Sequence, residues 1–203
     1  MSDDYVKVLD HGFVGLVDTM GDDDAVVQAA RVSYGSGTKT VNTDRNLIRY
    51  LLRHKHTTPF EMCEVKFHIK LPIFVMRQLI RHRTASVNEY SGRYSVMSDN
   101  FYVPEQKDIK KQSTTNAQGR GEEFSKEAKE RTQQWMEKIH NQAHDTYESF
   151  LKEDMARETA RAVLPVSNYT EAYWKCNIKN FLHMIHLRAD PHAQWEIQEY
   201  AKT

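Results

Sequence analysis

A nine-residue stretch with strict alternation is the sequence feature that most constrains the fold. In CEVKFHIKL the apolar side chains are Val65, Phe67, Ile69 and Leu71, and polar residues stand between them. This period of two predicts a strand with one buried face. Pro72 follows at once and is well placed as the first residue (N1) of a helix formed by IFVMRQLIRHR. The chain must therefore combine a sheet with helices.

The remaining patterns are mostly helical. We expect a short strand over residues 5–9 and helices over Asp22–Ser33, TDRNLIRYLLRH (capped by Thr43 or Asp44), Glu122–Glu153, Met155–Ala162, Glu171–Leu187 and Gln194–Ala201. Loops are expected at Gly35–Thr38, at TASVNEYSGRYS and over the polar residues 104–121, and Pro59 should end regular structure in its connector. There is no internal repeat or linker. The predicted class is α+β, mostly helical with a small antiparallel-rich sheet, in one domain over residues 1–203.

Composition narrows the classes of partner. Lys plus Arg and Asp plus Glu both number 28 in 203 residues, so no net field steers the chain toward nucleic acid or an anionic membrane. The N-terminus MSDDYVKVLD lacks the apolar run of a secretory signal, and no stretch is long enough to span a bilayer. Only Cys63 and Cys176 occur, which favours reduced, partly buried thiols in a cytoplasmic protein.

The densest chemical signal is a run of four arginines from Arg77 to Arg93 with a single acid, Glu89. At helical spacing Gln78, Arg81 and His82 would share one face. A partly buried cluster of this kind requires an anion, because guanidinium groups bind phosphate through paired, charge-assisted hydrogen bonds. Ser91-Gly92-Arg93 adds a hydroxyl, a flexible backbone and a further guanidinium. The alternative from composition alone is a solvated basic face.

Several blocks of this sequence resemble one known family. Arg81-His82-Arg83, seven residues and then Ser91 form the RHR-x7-S signature of the flavin-dependent thymidylate synthases, the ThyX-type class. The similarity extends from about Val8 to Ala201, is weakest over residues 104–150, and is carried by LDHGFVGLVDTMGDD, AARVSY, RHKHTTPFEM, PIFVMRQLIRHRTASVNEYSGRYS, ARAVLPVSNYT and LRADPHAQWEIQEYA. The order and number of these blocks make the match specific.

The resemblance implies an activity. Such enzymes convert dUMP to dTMP with methylenetetrahydrofolate, NADPH and FAD, without a protein nucleophile. It also implies a ThyX-like fold, a cytoplasmic homotetramer with active sites shared between subunits, and no nucleic-acid, membrane or metal partner. The local sequence around Cys63 agrees, since no histidine, lysine or arginine stands next to it to activate it, whereas Cys176 directly follows Lys175.

The resemblance also implies residue roles. The FAD positions would be Ser33, Thr58, Glu61, Arg81, His82, Arg83, Asn88, Glu89, Asn177, His183, Leu187 and His192. The dUMP positions, mainly for phosphate and sugar, would be Gln78, Glu89, Ser91, Gly92, Arg93, Arg161 and Arg188. The residues nearest the chemistry would be Arg188, facing uracil, Ser91, as a phosphate and ring contact, and His56, near folate and flavin, with Tyr94 as a further candidate there. Without the resemblance, Ser33, Thr58 and Glu61 would read as a helix-end hydroxyl, a loop hydroxyl and a surface acid.

Two departures from the family pattern are visible. The sequence given stops soon after Glu199, where family members continue with more helical sequence, so we expect the last helix and part of the subunit packing to differ. Lys179 stands where some relatives have arginine, which keeps the charge and loses the planar fork.

Two rival functions remain open at this point. A metal-dependent hydrolase would use ligand-like histidine spacings among the ten histidines, at His54/His56, His140/His144-Asp145 and His183/His186. A nucleic-acid-binding module would use the Arg77–Arg93 patch with stacking groups at Tyr90, Tyr94, Phe101 and Tyr102.

Overall fold

The computed structural model describes residues 5–33, 44–116 and 118–203. Its centre is a five-stranded antiparallel sheet in the order β1-β2-β3-β7-β4. The strands are β1 Tyr5–Val8, β2 Gly12–Met20, β3 Glu64–Pro72, β4 Ser86–Glu89 and β7 Tyr169–Asn177. A separate hairpin pairs β5 Lys110–Gln112 with β6 Arg120–Glu123. The strand predicted from CEVKFHIKL is confirmed as β3, which pairs on both edges.

The described residues contain seven α-helices, of which α3, α6 and α7 pack on the sheet. They are α1 Asp23–Val32, α2 Asp44–Arg53, α3 Ile73–Leu79, α4 Lys126–Lys152, α5 Arg157–Ala160, α6 Ile178–Arg188 and α7 Trp195–Lys202. Short 3-10 helices occur at Thr58–Met62, Gln106–Asp108 and Arg161–Val163. The α+β class is confirmed, as are the short strand near residues 5–9 and the helices predicted at α1, α2 and α7. The predicted loop Gly35–Thr38 and the cap Thr43 lie outside the described residues.

The main core lies between the sheet and helices α3, α6 and α7. It contains Leu71, Val75, Trp174, Met184 and Ile197, all buried. Burying one side chain of this size stabilises the fold by about 1.5–3 kcal/mol. A second cluster joins α1 and α2 to the 3-10 helix at Thr58–Met62, and a third packs α4 and α5 on the loop that follows β4. These cores fix the ends of α3 and α6 beside each other.

The predicted helix Glu171–Leu187 is wrong in its first seven residues. Residues Glu171–Asn177 belong to β7, where Ala172, Trp174 and Cys176 are buried and alternate with more exposed neighbours. This strand has a partner on each side, β3 and β4, and ladder pairing outweighs its helical propensity. The helix begins only at Ile178, because Asn177 caps it by accepting a hydrogen bond from Asn180 N at 2.9 Å.

The helix predicted after Pro72 is shorter than expected. Pro72 ends β3 and serves as the N-cap of α3 rather than as N1, and α3 stops at Leu79. Arg81 N and His82 N bond three residues back, to the carbonyls of Gln78 and Leu79, which tightens the last turn. Arg81, His82 and Arg83 therefore lie in a turn, so the predicted shared helical face is wrong.

Other boundaries differ for local reasons. TASVNEYSGRYS was expected as a loop but contains β4, and the segment 104–121 contains a 3-10 helix and a hairpin strand. Helix α4 begins at Lys126 instead of Glu122, because Ser125 accepts a hydrogen bond from Ala128 N. Pro59 lies at the start of a 3-10 helix rather than ending regular structure. Met155–Ala162 contains only α5 and the start of the next 3-10 turn, and β2 had not been predicted.

Among the helices of the described residues, none combines the length and apolar character that crossing a bilayer requires.

Candidate active site

The C-terminal ends of α3 and α6 meet through Arg188. Its Nε donates to Nε2 of His82 at 3.0 Å, and its second terminal nitrogen donates to the carbonyl of Gln78 at 3.2 Å. The Gln78 carbonyl is one of the groups that the end of α3 leaves without a helical partner. Arg188 thus joins Gln78 of α3 and His82 of the following turn, both more than a hundred positions earlier in the sequence.

The protonation state of His82 determines how its ring pairs with Arg188. Burial lowers the pKa of His82 below its ordinary value, and the charge of Arg188 and the neighbouring His183 lower it further. A neutral imidazole is therefore present at neutral pH. Because an arginine can only donate, Nε2 of His82 must accept, and the ring hydrogen lies on Nδ1.

Arg188 is half-buried, and among the described residues its side-chain hydrogen bonds go only to these two neutral acceptors. Within residues 5–33, 44–116 and 118–203, no carboxylate forms an ion pair with Arg188, nor with Arg81, Arg83 or Arg161. A desolvated guanidinium with no counter-charge is costly unless an anion joins it. The junction can therefore bind an anionic ligand or stabilise negative charge that develops beside it.

The loop that follows β4 carries the second group of predicted residues. The backbone N–H of Tyr90 donates to the Glu171 carbonyl at 2.7 Å, so the loop leaves the sheet edge at a fixed point. Farther on, the buried Asn168 amide donates to the carbonyls of Ser98 and Asn100 at 2.8 and 2.9 Å. These bonds hold the chain before and after the stretch that contains Ser91–Arg93, at Tyr90 and at Ser98 and Asn100.

Gly92 brings this loop against Arg161. A Cβ atom at Gly92 would lie 2.7 Å from Sδ of Met97 and 3.1 Å from Cδ of Arg161, which is too close for either neighbour to stay in place. The absence of a side chain therefore lets Arg161 lie directly beside the loop. The predicted dUMP positions Gly92 and Arg161, distant in sequence, are brought together.

Arg93 is exposed and only loosely paired. Its Nε lies 3.6 Å from Glu158 Oε2, with 54% and 62% of the two side chains exposed, and its guanidinium lies 5.8 Å from the Tyr94 ring centre. An exposed pair at this distance contributes about 0–1 kcal/mol. The Arg93 guanidinium is thus free to exchange its partner for a phosphate. Ser91 Oγ accepts a hydrogen bond from Arg93 N at 3.4 Å and has no basic neighbour bonded to it within the described chain.

Strand β4 connects the two cationic groups. Glu89 at its end accepts a hydrogen bond from Thr170 Oγ1 at 2.9 Å, and Asn88 lies opposite Tyr173 on β7. Asn88 and Glu89 are exposed. The sheet edge therefore presents an amide and a carboxylate between the RHR turn and the Ser91 loop.

A third group of predicted residues lies at the other end of α6. Ser33 and Thr58 line one groove with Pro59 and Met62. Glu61 forms an ion pair with Lys179 at 3.9 Å. Asn177 uses its side-chain oxygen to cap α6, so that oxygen is already engaged within the chain.

Two of the predicted residues, His56 and His192, are not joined to the others within the described chain. His56 is exposed and contacts the rings of Tyr50 and His54, and His192 is exposed and bonded to Asp190 at 2.8 Å. His183 and Leu187 are exposed on α6, with the His183 ring 6.3 Å from that of His82. Sequence reasoning also missed Gln194, whose Oε1 accepts from Nε2 of Gln78. The block QWEI contains this residue, but nothing in its pattern indicated the contact.

Both cysteines are buried and free. Burial raises the pKa of the Cys176 thiol to about 12, and the nearby Glu64 adds to the effect. Burial also raises the pKa of the Cys63 thiol, with contributions from Asp22 and Asp23. Both therefore remain protonated at neutral pH, whereas a nucleophilic cysteine needs a lowered pKa.

Replacing either thiol should leave turnover intact. We expect Cys63→Ala and Cys176→Ala to keep enzymatic turnover within about twofold of the wild-type rate, because a protonated buried thiol is not a nucleophile. Each should lower the melting temperature by a few degrees through lost packing, consistent with roughly 1 kcal/mol for a small cavity. The rates are measured on protein that elutes normally and melts cooperatively. A folded variant without any turnover would restore a thiol mechanism.

The positions of the candidate residues bear on both rival functions, the metal-dependent hydrolase and the nucleic-acid-binding module. Within the described chain no group of three or more His, Cys, Asp and Glu side chains is placed to hold a metal ion. His140 is buried, bonded to Ser167 at 2.8 Å and stacked on Phe101. Phe101 and Tyr102, two of the four proposed base-stacking groups, are buried in the core. These two rings are not accessible to a nucleic acid.

Comparison with known proteins identifies the family. Residues 15–203 match the profile of the family described as thymidylate synthase complementing protein. A flavin-dependent thymidylate synthase of Wolbachia pipientis is 55% identical over 97% of this chain and 69% of its own length, and that of Ehrlichia ruminantium (strain Gardel) is 56% identical over 97% and 66%. The chain thus spans about two thirds of the length of these curated relatives.

Solved structures give the same result at the level of the fold. The UMP/dUMP methylase PolB from Streptomyces cacaoi, bound with 5-Br dUMP, is 35% identical with a TM-score of 0.86 over 97% of this chain and 89% of that chain. The complex of PolB with 5-Br UMP gives a TM-score of 0.85. The chain therefore belongs to the family of flavin-dependent thymidylate synthases.

Proposed function

We propose that this chain methylates dUMP to dTMP in a single catalytic domain, using methylenetetrahydrofolate and NADPH as co-substrates and FAD as cofactor. The observation that carries the proposal is Arg188, a half-buried guanidinium oriented by neutral acceptors and without a carboxylate partner in the described chain. The names of the relatives support the activity, and the bound ligands of PolB support a uridine nucleotide as substrate.

In this proposal two cationic groups bind dUMP. Arg93, Arg161 and the Ser91–Gly92 backbone hold the phosphate and sugar, and Gln78 and Glu89 contribute polar contacts. Arg188 faces the uracil ring and stabilises the negative charge that develops on it during methylation, since its donors are already oriented. Ser91 contacts the phosphate and ring instead of attacking the substrate, and His56 lies toward the folate.

The remaining predicted residues fit a flavin dinucleotide. Arg81 and Arg83 are exposed cations without ion pairs in the described residues, beside a neutral His82, and suit a pyrophosphate. Ser33 and Thr58 offer hydroxyls in one groove. The remaining proposed FAD contacts are Glu61, Asn88, Glu89, Asn177, His183, Leu187 and His192. FAD, when bound, supplies the hydride transfer of the reaction.

We further propose a cytoplasmic homotetramer with shared sites. In one chain Arg81, Arg83 and Arg93 face solvent, and His56 and His192 are not joined by hydrogen bond, ion pair or ring contact to other predicted site residues within the described part. Three phosphate groups, two of FAD and one of dUMP, would gain from a second subunit that excludes water over them.

The proposed function is tested with purified full-length protein. The protein should be yellow, release FAD on denaturation, and form dTMP from dUMP only when methylenetetrahydrofolate and NADPH are both added. UMP serves as the matched substrate control and should react more slowly. Colourless protein that remains inactive after FAD is added would contradict the proposal, and metal-dependent release of phosphate from dUMP would favour the hydrolase.

A further inference from the structure

A buried carboxylate lies behind the Gln78 side chain. Glu196, in the first turn of α7, is 4% exposed. Its Oε1 accepts hydrogen bonds from the guanidinium of Arg120 and from the hydroxyl of Tyr102, the latter at 3.2 Å. Its Oε2 accepts from Nε2 of Gln194 at 2.8 Å. Three donors, one of them charged, satisfy the oxygens of this buried group and fix it in position.

The carboxylate determines which way the two glutamine amides point. Both oxygens of Glu196 act as acceptors, so Gln194 turns its NH2 group toward Glu196 Oε2. The Oε1 of Gln194 then faces the opposite way and accepts from Nε2 of Gln78 at 2.5 Å. Gln78 consequently turns its own NH2 inward, and no hydrogen bond from the residues the structure describes reaches its Oε1.

The free end of Gln78 lies beside the proposed nucleotide site. Gln78 is in the last turn of α3, and its backbone carbonyl accepts the hydrogen bond from Arg188. We infer that Glu196 is a positioning residue, which acts through Gln194 to fix the Gln78 amide so that its carbonyl oxygen meets a neutral hydrogen-bond donor of the bound nucleotide. The inference rests on the proposed function, because it assumes that dUMP binds beside Arg188.

This orientation has a consequence for selectivity. A carbonyl oxygen repels phosphate oxygens and bonds only to an O–H or N–H group. In dUMP the neutral donors are the 3′-hydroxyl and the ring N3–H. Gln78 therefore recognises the sugar or the base instead of the phosphate. Reversing the amide would present NH2 to these donors and lose the bond.

The inference is tested by nucleotide binding to the FAD-loaded protein, measured by calorimetry. The ligands are dUMP, 2′,3′-dideoxyuridine 5′-monophosphate, which lacks the sugar donor, and N3-methyl-dUMP, which lacks the ring donor. Wild-type protein should bind one of the two analogues roughly tenfold more weakly than dUMP, as expected for one lost hydrogen bond. The analogue that loses affinity identifies the donor.

Two variants should remove the fixed orientation of the Gln78 amide, and one matched variant should keep it. In Glu196→Gln the new amide can donate or accept, and in Gln194→Ala the relay is interrupted without leaving Arg120 unpaired. Both should weaken dUMP binding several-fold and reduce the discrimination to below about threefold. Tyr102→Phe removes a contact to the same carboxylate but leaves the direction unchanged, so it should keep the wild-type discrimination.

The outcomes separate the inference from the proposed function. Gln194→Ala decides the question if Glu196→Gln fails to fold because Arg120 loses the nearer of its two carboxylate partners, Glu196 and Asp108. Full discrimination in a folded Gln194→Ala variant, or equal wild-type binding of dUMP and both analogues, overturns the inference alone. Wild-type protein that binds no dUMP contradicts the proposed function and the inference with it.

Discussion

Arg188→Ala is expected to lower the rate of dTMP formation about 100–1000-fold at saturating dUMP, the range found when one preorganised donor to a developing charge is removed. The side chain is already oriented by His82 and Gln78, so the substrate meets it without reorganisation. Arg188→Lys should recover little of the loss, because a lysine keeps the charge but cannot donate to both acceptors and still face the ring. Single-turnover measurements with preloaded dUMP isolate this step from binding.

A second readout distinguishes the loss of Arg188 from general damage. Without the guanidinium, the pKa of His82 should rise toward its ordinary value but stay below it, since burial is the larger cause of the depression. The histidine signals in an NMR titration report this shift directly. His186→Ala, an exposed position on the same helix, is the control and should keep the rate within about twofold. Wild-type single-turnover rates in Arg188→Ala would remove Arg188 from the mechanism.

The sequence correctly predicted those elements whose hydrophobic period agrees with their pattern of burial in the structure. Strand β3 and helices α1, α2 and α7 were predicted because alternation or helical spacing is visible in each. Strand β7 was misread, although Thr170, Ala172, Trp174 and Cys176 alternate with Glu171, Tyr173 and Lys175. The same residues continue without a break into α6, so only the pairing with β3 and β4 decides between strand and helix. Such pairing is a tertiary effect.

The site was predictable in part. The spacing of Arg81, His82, Arg83 and Ser91 is local, and the other candidate residues were assigned only by their position in the resemblance. The bond between Arg188 and His82 joins residues 106 positions apart and depends on the core that aligns α3 with α6. No pattern in the sequence next to either residue could predict this bond. The end of α3 at Leu79 has the same origin, since the chain must turn there to place β4 against β7.

Arg93→Ala should weaken dUMP binding by about 1.5–3 kcal/mol, the contribution of one hydrogen bond to a charged group, or roughly 10–150-fold in Kd. Arg93 also has an acidic partner in the structure, and removing the charge of that partner should change dUMP affinity in the opposite direction. Glu158 is the carboxylate that competes for this guanidinium at 3.6 Å. Glu158→Gln should leave dUMP affinity unchanged or tighten it up to a few-fold, because the exposed pair is worth only about 0–1 kcal/mol.

Calorimetric titration of both variants with dUMP, at two salt concentrations, distinguishes a direct Arg93–phosphate contact from general electrostatic attraction. A direct Arg93–phosphate bond predicts a shallower salt dependence in Arg93→Ala than in the wild type, since one fewer charge is screened. General electrostatic attraction predicts instead that Arg93→Ala and Glu158→Gln change affinity by equal and small amounts of opposite sign. Unchanged dUMP affinity in Arg93→Ala, with the fold intact, would show that the phosphate lies elsewhere, and the Ser91–Arg93 loop would then lose its proposed role.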